Sequence, residues 1–177
     1  GTSVDNSGGS ISVYAVGQAT GINATSLYGG ADVTNASDIS AVGLVFGATG
    51  ISAYAGGDVN IDNSGDIYVV SLYGDAIGLY AYSVYGDATV NNSGAIFAYS
   101  ATGIADGIFA SGANVEVGNS GDLYAVGGTW AAGIEAQGTD STNVENSGDV
   151  FAYSLGAAYG LYATGGDVTV ANSGNVE

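Results

Sequence analysis

Seventeen Asp and Glu side chains carry all the formal charge of this 177-residue chain, −17, because Lys, Arg and His are absent. Cys, Pro and Met are absent too. Carboxylates in such number can hold calcium or, in close pairs, hydrolyse glycosidic bonds. The missing types exclude far more. Without His and Cys there is no Ser-His-Asp or Cys-His relay, no zinc, haem or iron–sulfur centre and no disulfide. Without Lys there is neither a Schiff base nor the lysine of a phosphate-binding loop. A polyanion lacking Lys and Arg is not expected to bind nucleic acid or anionic lipid.

The acids recur at fixed places. Asp66, Asp122 and Asp149 follow the tripeptide Asn-Ser-Gly, and Asp38 follows a degenerate copy of it. Asp32, Asp58, Asn114 and Asp167 precede a short alternating segment. Stacked ~4.8 Å apart, two such carboxylates repel by ~0.9 kcal/mol in water. No side-chain cation relieves this, so calcium is the expected counter-ion, with Asp58, Asp66, Asp122, Asp149 and Asp167 as its ligands. The competing reading is of solvated turn residues with local hydrogen bonds. No carboxylate pair stands out from the repeat as a grafted active site should. The chain is therefore expected not to be an enzyme, with no catalytic residues and no cofactor besides calcium.

Aromatic residues are the second group able to do chemistry. Tyr68, Phe97, Tyr124 and Phe151 align in one column, and Tyr14, Tyr99 and Tyr153 in a neighbouring one. Tyr80, Phe109 and Tyr162 form a third, with Tyr54 and Tyr82 two positions on. Such columns stabilise a sheet by stacking, or they offer strips for glycans or protein contact. Trp130, in the turn Gly-Gly-Thr-Trp, breaks the repeat and is expected to make a lateral contact. Asn23, Asn35 and Asn91 begin N-glycosylation sequons.

The elements that position these groups are repeats. Asn-Ser-Gly begins at Asn6, Asn63, Asn92, Asn119, Asn146 and Asn172, with Asn35 opening the degenerate copy. The steps are 29, 28, 29, 27, 27 and 26 residues. Gly followed by Ile or Leu falls at Gly21, Gly50, Gly78, Gly107, Gly133 and Gly160, with nearly the same steps. Each period contains three short segments with apolar residues at every second position, which is strand periodicity. No segment keeps a helical spacing, and no apolar run is long enough for a membrane-spanning helix.

One coil of three strands cannot bury its own apolar face, but stacked coils close a continuous core. The repeat therefore predicts an all-β, right-handed parallel β-helix (a β-solenoid) over residues 1–177. It should have about six coils of ~28 residues, each with three strands of four to six residues. Ile39, Ile67, Ile96, Leu123, Val150 and Val176 should form one inward column, with Ala41, Val69, Ala98, Ala125 and Ala152 two positions on. The second strand should contribute Ile22, Ile51, Leu79, Ile108, Ile134 and Leu161, and then Ala24, Ala53, Ala81, Ala110, Ala136 and Ala163. Asn6, Asn63, Asn92, Asn119, Asn146 and Asn172 should turn inward and bond to one another as a ladder. The glycine two residues on should supply a left-handed turn.

The copy from Asn146 to Gly174 reads Asn-Ser-Gly-Asp-Val, then Gly-Leu-Tyr-Ala, then Gly-Gly-Asp-Val-Thr-Val-Ala-Asn-Ser-Gly. This pattern resembles the passenger repeats of bacterial autotransporters and filamentous-haemagglutinin-like proteins. The resemblance implies a secreted or cell-surface β-helix used in adhesion, aggregation or matrix building, and it brings no catalytic signature. Both ends of the chain are in register with the repeat. They are expected either to continue a longer solenoid or to stack identical copies head to tail. The expected function is thus a structural subunit of an extracellular or cell-surface filament, with neighbouring filaments or glycans as further partners. The alternative is an adhesin segment that holds glycans or surfaces through the outward aromatic columns.

Overall fold

The computed structural model describes all residues from Gly1 to Glu177. It is a right-handed parallel β-solenoid of about six turns. Three strands follow one another around each turn. The segment after Asn-Ser-Gly forms the first face: β2 (Ile11–Ala15), β5 (Ile39–Gly43), β8 (Ile67–Ser71), β11 (Ile96–Ser100), β13 (Leu123–Gly127) and β15 (Val150–Ser154). The second face holds β3 (Ala19–Ser26), β6 (Ala48–Ala55), β9 (Ala76–Ser83) and β16 (Ala157–Thr164). The third holds β1 (Thr2–Asn6), β4 (Ala31–Asn35), β7 (Val59–Asn63), β10 (Ala88–Asn92) and β17 (Asp167–Asn172). Two long strands, β12 (Ile104–Asn119) and β14 (Trp130–Asn146), run through the second and third faces. They merge the two because the corner between them is short, with a register shift between Gly112 and Asn114. The second-face strands are eight residues long, longer than the alternation suggests.

Every named pair is parallel and joins equivalent positions of successive coils. Ile39, Ile67, Ile96, Leu123 and Val150 are consecutive partners on the first face. On the second face Ile22, Ile51, Leu79, Ile108, Ile134 and Leu161 are. These columns and the alanines beside them belong to one core of 34 buried residues, against which Leu161, Ala152 and Ala163 pack partly buried at the C-terminal end. Large and small side chains alternate along each strand, which lets three walls interdigitate in a narrow interior. Val176 continues its column by pairing with Val150, but it is 43% exposed because the last rung is open.

The asparagines form the ladder. Asn35 Nδ2 donates to Asn63 Oδ1 at 2.7 Å, Asn63 to Asn92 at 2.8 Å, and Asn92 to Asn119 at 2.8 Å. Asn119 continues to Asn146, Asn146 to Asn172, and Asn6 begins the row by donating to Asn35. From Asn35 onward, the second N–H of each amide closes its own turn on the carbonyl two residues on, as from Asn63 to Gly65 and Asn92 to Gly94. Each interior amide thus uses both donors, as a buried polar group must.

The glycines act differently from expectation. Only Gly47 has a left-handed φ, at 109°. In Asn-Ser-Gly the glycine is needed for close approach between coils. A Cβ on Gly94 would overlap the Gly65 carbonyl oxygen, and one on Gly121 the Gly94 carbonyl oxygen. The Gly-Ile marker has a second steric cause. Cβ atoms on Gly21, Gly50 and Gly78 would collide with the Cγ2 methyls of Ile39, Ile67 and Ile96. Each of these glycines makes room for the large first-face residue of the following coil.

Candidate functional surfaces

The first-face aromatic column stands outward and half-buried, as its alternation requires. Tyr68, Phe97, Tyr124 and Phe151 follow one another at centroid separations of 5.1, 5.2 and 4.6 Å, with planes within 11° of parallel. That separation is close to the rung spacing, so each ring covers the face of the next. The four rings line a surface groove of about 720 Å³, whose wall also includes Asp66, Asp122 and Asp149. On the second face Tyr54 stacks on Tyr82 at 5.5 Å and Tyr80 on Phe109 at 5.1 Å. Tyr14, Tyr99 and Tyr153 share a column but do not stack, because Val42, Val70 and Val126 intervene.

The third column is interrupted. Glu135 lies between Phe109 and Tyr162, so Tyr162 does not extend the stack begun by Tyr80. It packs instead edge-on to Trp130 at 5.7 Å and against Tyr159 at 5.2 Å. Trp130 is not in a turn. It opens β14 between Ile104 and Ala157, half-buried, with its ring 4.7 Å from that of Tyr159.

The turn acids bind backbone. Asp66 Oδ1 accepts the Ala95 N–H at 2.9 Å, Asp122 Oδ1 the Asp149 N–H at 3.1 Å, and Asp149 Oδ1 the Asn175 N–H at 2.9 Å. Asp58 Oδ1 accepts the Asp87 N–H at 3.0 Å. One carboxylate oxygen of each therefore satisfies the turn of the next coil, which keeps an exposed corner in register. Ala95 separates Asp66 from Asp122 in their column, and Asp167 pairs in register with Ser141. No group of three acidic side chains is placed to hold a metal ion together. Of the sequon asparagines, Asn23 and Asn91 are exposed. Asn35 is 1% exposed and held in the ladder, so the folded chain withholds it from a glycan.

Two features escape a reading of turns and columns. Asp106 and Glu135 depart from the repeat on adjoining strands, where a grafted pair was not expected. Asp106 is 4% exposed and its Oδ1 has no hydrogen-bond partner. Burial, reinforced by Glu135 and Asp75, pushes its carboxyl up to about 8. Burial also pushes Glu135 up, offset by the Gln137 amide and the Trp130 indole. Even so, Trp130 Nε1 makes no well-formed hydrogen bond. The signal was available as residues foreign to their columns. The second feature is a set of aromatic turn tips, of which Tyr28 is 98%, Tyr85 85% and Phe46 77% exposed. Tyr28, Tyr73 and Tyr85 sit in a repeated Ser-Leu-Tyr-Gly or Ser-Val-Tyr-Gly turn, closed by Gly N–H donation to Ser Oγ at Ser26, Ser71 and Ser83, whereas Phe46 takes the same place in Gly-Leu-Val-Phe-Gly.

Comparison with protein-family models, curated proteins and solved structures gives no match. The fold itself defines the class: a parallel β-solenoid, the architecture to which autotransporter passengers also belong.

Proposed function

We infer that the chain is a structural unit of an extracellular or cell-surface filament, lengthened by in-register stacking of coils on its ends. The observation that carries this is the polarity of the asparagine ladder. Every amide from Asn6 to Asn146 donates to the asparagine of the next coil toward the C-terminus, the last acceptor being Asn172. Asn172 donates to Gly174 and keeps a further N–H, while Asn6 keeps its Oδ1. An Asn6 stacked on Asn172 of an identical copy would continue the row, with Val4 following Val170 in the core. Such a contact is heterologous and propagates as an open filament.

The rung count sets the form of the junction. The third face holds seven strands and the other two hold six each. Copies joined at Asn6 and Asn172 therefore leave one rung to fill on each of the other faces: a first-face rung only begun by Val176, and a second-face rung between β16 and the next β3. Added chain that finishes the first-face strand and supplies an eight-residue second-face strand completes both.

The surface charge keeps such rods dispersed, and calcium bridging exposed Asp oxygens would draw them together. The exposed tips Tyr28, Phe46 and Tyr85 supply apolar contacts between neighbours. The adhesin reading has less support, because the stacked rings of Tyr68, Phe97 and Tyr124 occupy the faces a sugar would use. The reading is non-enzymatic. Light scattering on residues 1–177 tests it. Scattering mass should rise with concentration and fall when Asn172 is replaced by Leu, whereas a monodisperse monomer at high concentration would overturn it.

A further inference from the structure

The second face carries an acidic and aromatic patch that neither the repeat nor stacking explains. Asp106 occupies a column otherwise filled by Thr20, Thr49, Ile77, Ala132 and Tyr159. Glu135 occupies one otherwise filled by Asn23, Ser52, Tyr80, Phe109 and Tyr162. Trp130, the single tryptophan, stands between Ile104 and Ala157. These departures fall on neighbouring strands β12 and β14, beside Tyr159 and Tyr162 of β16.

Asp106 is the only acidic residue among the buried ones. A threonine or alanine, as in neighbouring coils, would serve the fold better than a buried carboxyl whose Oδ1 lacks a partner. Its nearest charged neighbours, Glu135 and Asp75, are themselves acidic, and the chain holds no side-chain cation to pair with any of them. A cation that pairs with them when they ionise therefore comes from outside the chain.

The surroundings decide its kind. Hard divalent ions need six to eight oxygens. Here the Glu135 carboxyl, already accepting from Gln137 Nε2, lies beside the Trp130 indole, whose ring packs against Tyr159 and Tyr162, and the Asp106 carboxyl is its neighbour. Aromatic faces attract organic cations, and their attraction strengthens where water is excluded. Tyr159, 39% exposed, borders the patch on the solvent side.

We propose that Asp106, Glu135, Trp130, Tyr159 and Tyr162 bind an organic ammonium group, either of a free amine or of a lysine side chain on a partner. The ammonium pairs with the ionised Asp106, whose carboxyl proton leaves to solvent on binding. Glu135, Asp75 and the phenols of Tyr159 and Tyr162 are the titratable groups facing it. Because binding releases a proton, it tightens as pH rises toward the range where Asp106 ionises. The patch lies on a side face, so the proposal stands apart from end-to-end stacking.

Trp130 reports binding directly, as the only indole. Its fluorescence would be titrated with methylammonium and tetramethylammonium chloride, against sodium chloride at equal ionic strength, at about pH 6 and about pH 8.5. The expected result is a saturable change at least ~10-fold tighter than any sodium effect, as one desolvated cation–π contact gives. It should be tighter at the higher pH and weakened ~10-fold or more in both Asp106→Asn and Glu135→Gln. Spermidine and an acetylated lysine-containing peptide then separate the sources, the tighter binder naming a free amine or a partner side chain. A change that is linear and equal to that of sodium overturns the proposal. So does saturable binding that both variants keep in full, each checked for retained β-structure by circular dichroism.

Discussion

Asn63 and Asn92 lie 29 residues apart in the chain and 2.8 Å apart through a single amide hydrogen bond, both almost fully buried. That bond fixes which coil sits on which, and its repetition gives the solenoid a direction. Removing one interior member orphans a donor above and an acceptor below. Asn92→Ala should therefore cost ~2–4 kcal/mol, because two buried polar groups lose their partners. Asn91→Ala, one residue away and exposed, should cost under ~1 kcal/mol. Urea unfolding of the two variants checks the contrast, and equal losses would mean that the ladder does not hold the coils.

Core and glycine substitutions should separate packing from close approach. Leu123→Ala should cost ~2–5 kcal/mol through the cavity it leaves. Gly94→Ala should cost more than ~2 kcal/mol although it adds only a methyl, since the Gly65 carbonyl must move. Gly8→Ala, with nothing within 4 Å of the added carbon, is the control and should be nearly neutral. Thermal midpoints of the three variants decide it.

Asp106 gives the stability a pH dependence of known sign. Its folded pKa, about 8, lies above the ordinary value of 3.8, so the folded chain holds the proton more tightly than the unfolded one. The resulting stabilisation is complete below the ordinary value and is lost as pH rises to about 8. Asp106→Asn removes this dependence while keeping a neutral side chain. The variant should thus gain on the parent steadily between about pH 4 and about pH 8, by a few kcal/mol at most. Parallel curves for parent and variant would show that Asp106 ionises freely in the fold.

Calcium should raise the thermal midpoint more than sodium does at equal ionic strength, because one divalent ion can bridge neighbouring Asp carboxylates. With no three acids placed to hold one ion together, the rise should be gradual with concentration and not complete at one equivalent. Identical responses to the two ions would reduce the effect to screening.

Completing the open rung should promote assembly. Glu177 is level with Phe151 in the stacking, given the pairing of Val176 with Val150. A chain extended after Glu177 by a copy of residues 152–165 would supply the missing second-face strand. It should elongate at lower concentration than the parent, as followed by light scattering. No difference between them would remove the strand-for-strand junction.

Much of this was legible because stacking turns position in a period into location in space. Alternation assigned Ile67 and Leu123 to the interior and Tyr68 and Tyr124 to the surface, and the recurrent Asn in a β turn pointed to the ladder. What stayed hidden depends on contacts between coils that no single period displays. The steric need at Gly94 comes from a carbonyl one coil away, and that at Gly50 from a methyl of Ile67. The partner of Asp66 is a backbone N–H of the next coil. Trp130 reads as a turn residue until the shortened corner before β14 brings it into the sheet. Asp106 and Glu135 look like ordinary surface acids until neighbouring rungs bury one of them.

Electron microscopy of residues 1–177 at high concentration, combined with diffraction from the aligned material, tests the central claim most directly. In-register stacking predicts unbranched rods one solenoid wide, of unlimited length, with a ~4.8 Å repeat along the rod axis. Single short particles about six coils long at every concentration, or fibres whose ~4.8 Å repeat runs across the axis, would contradict it.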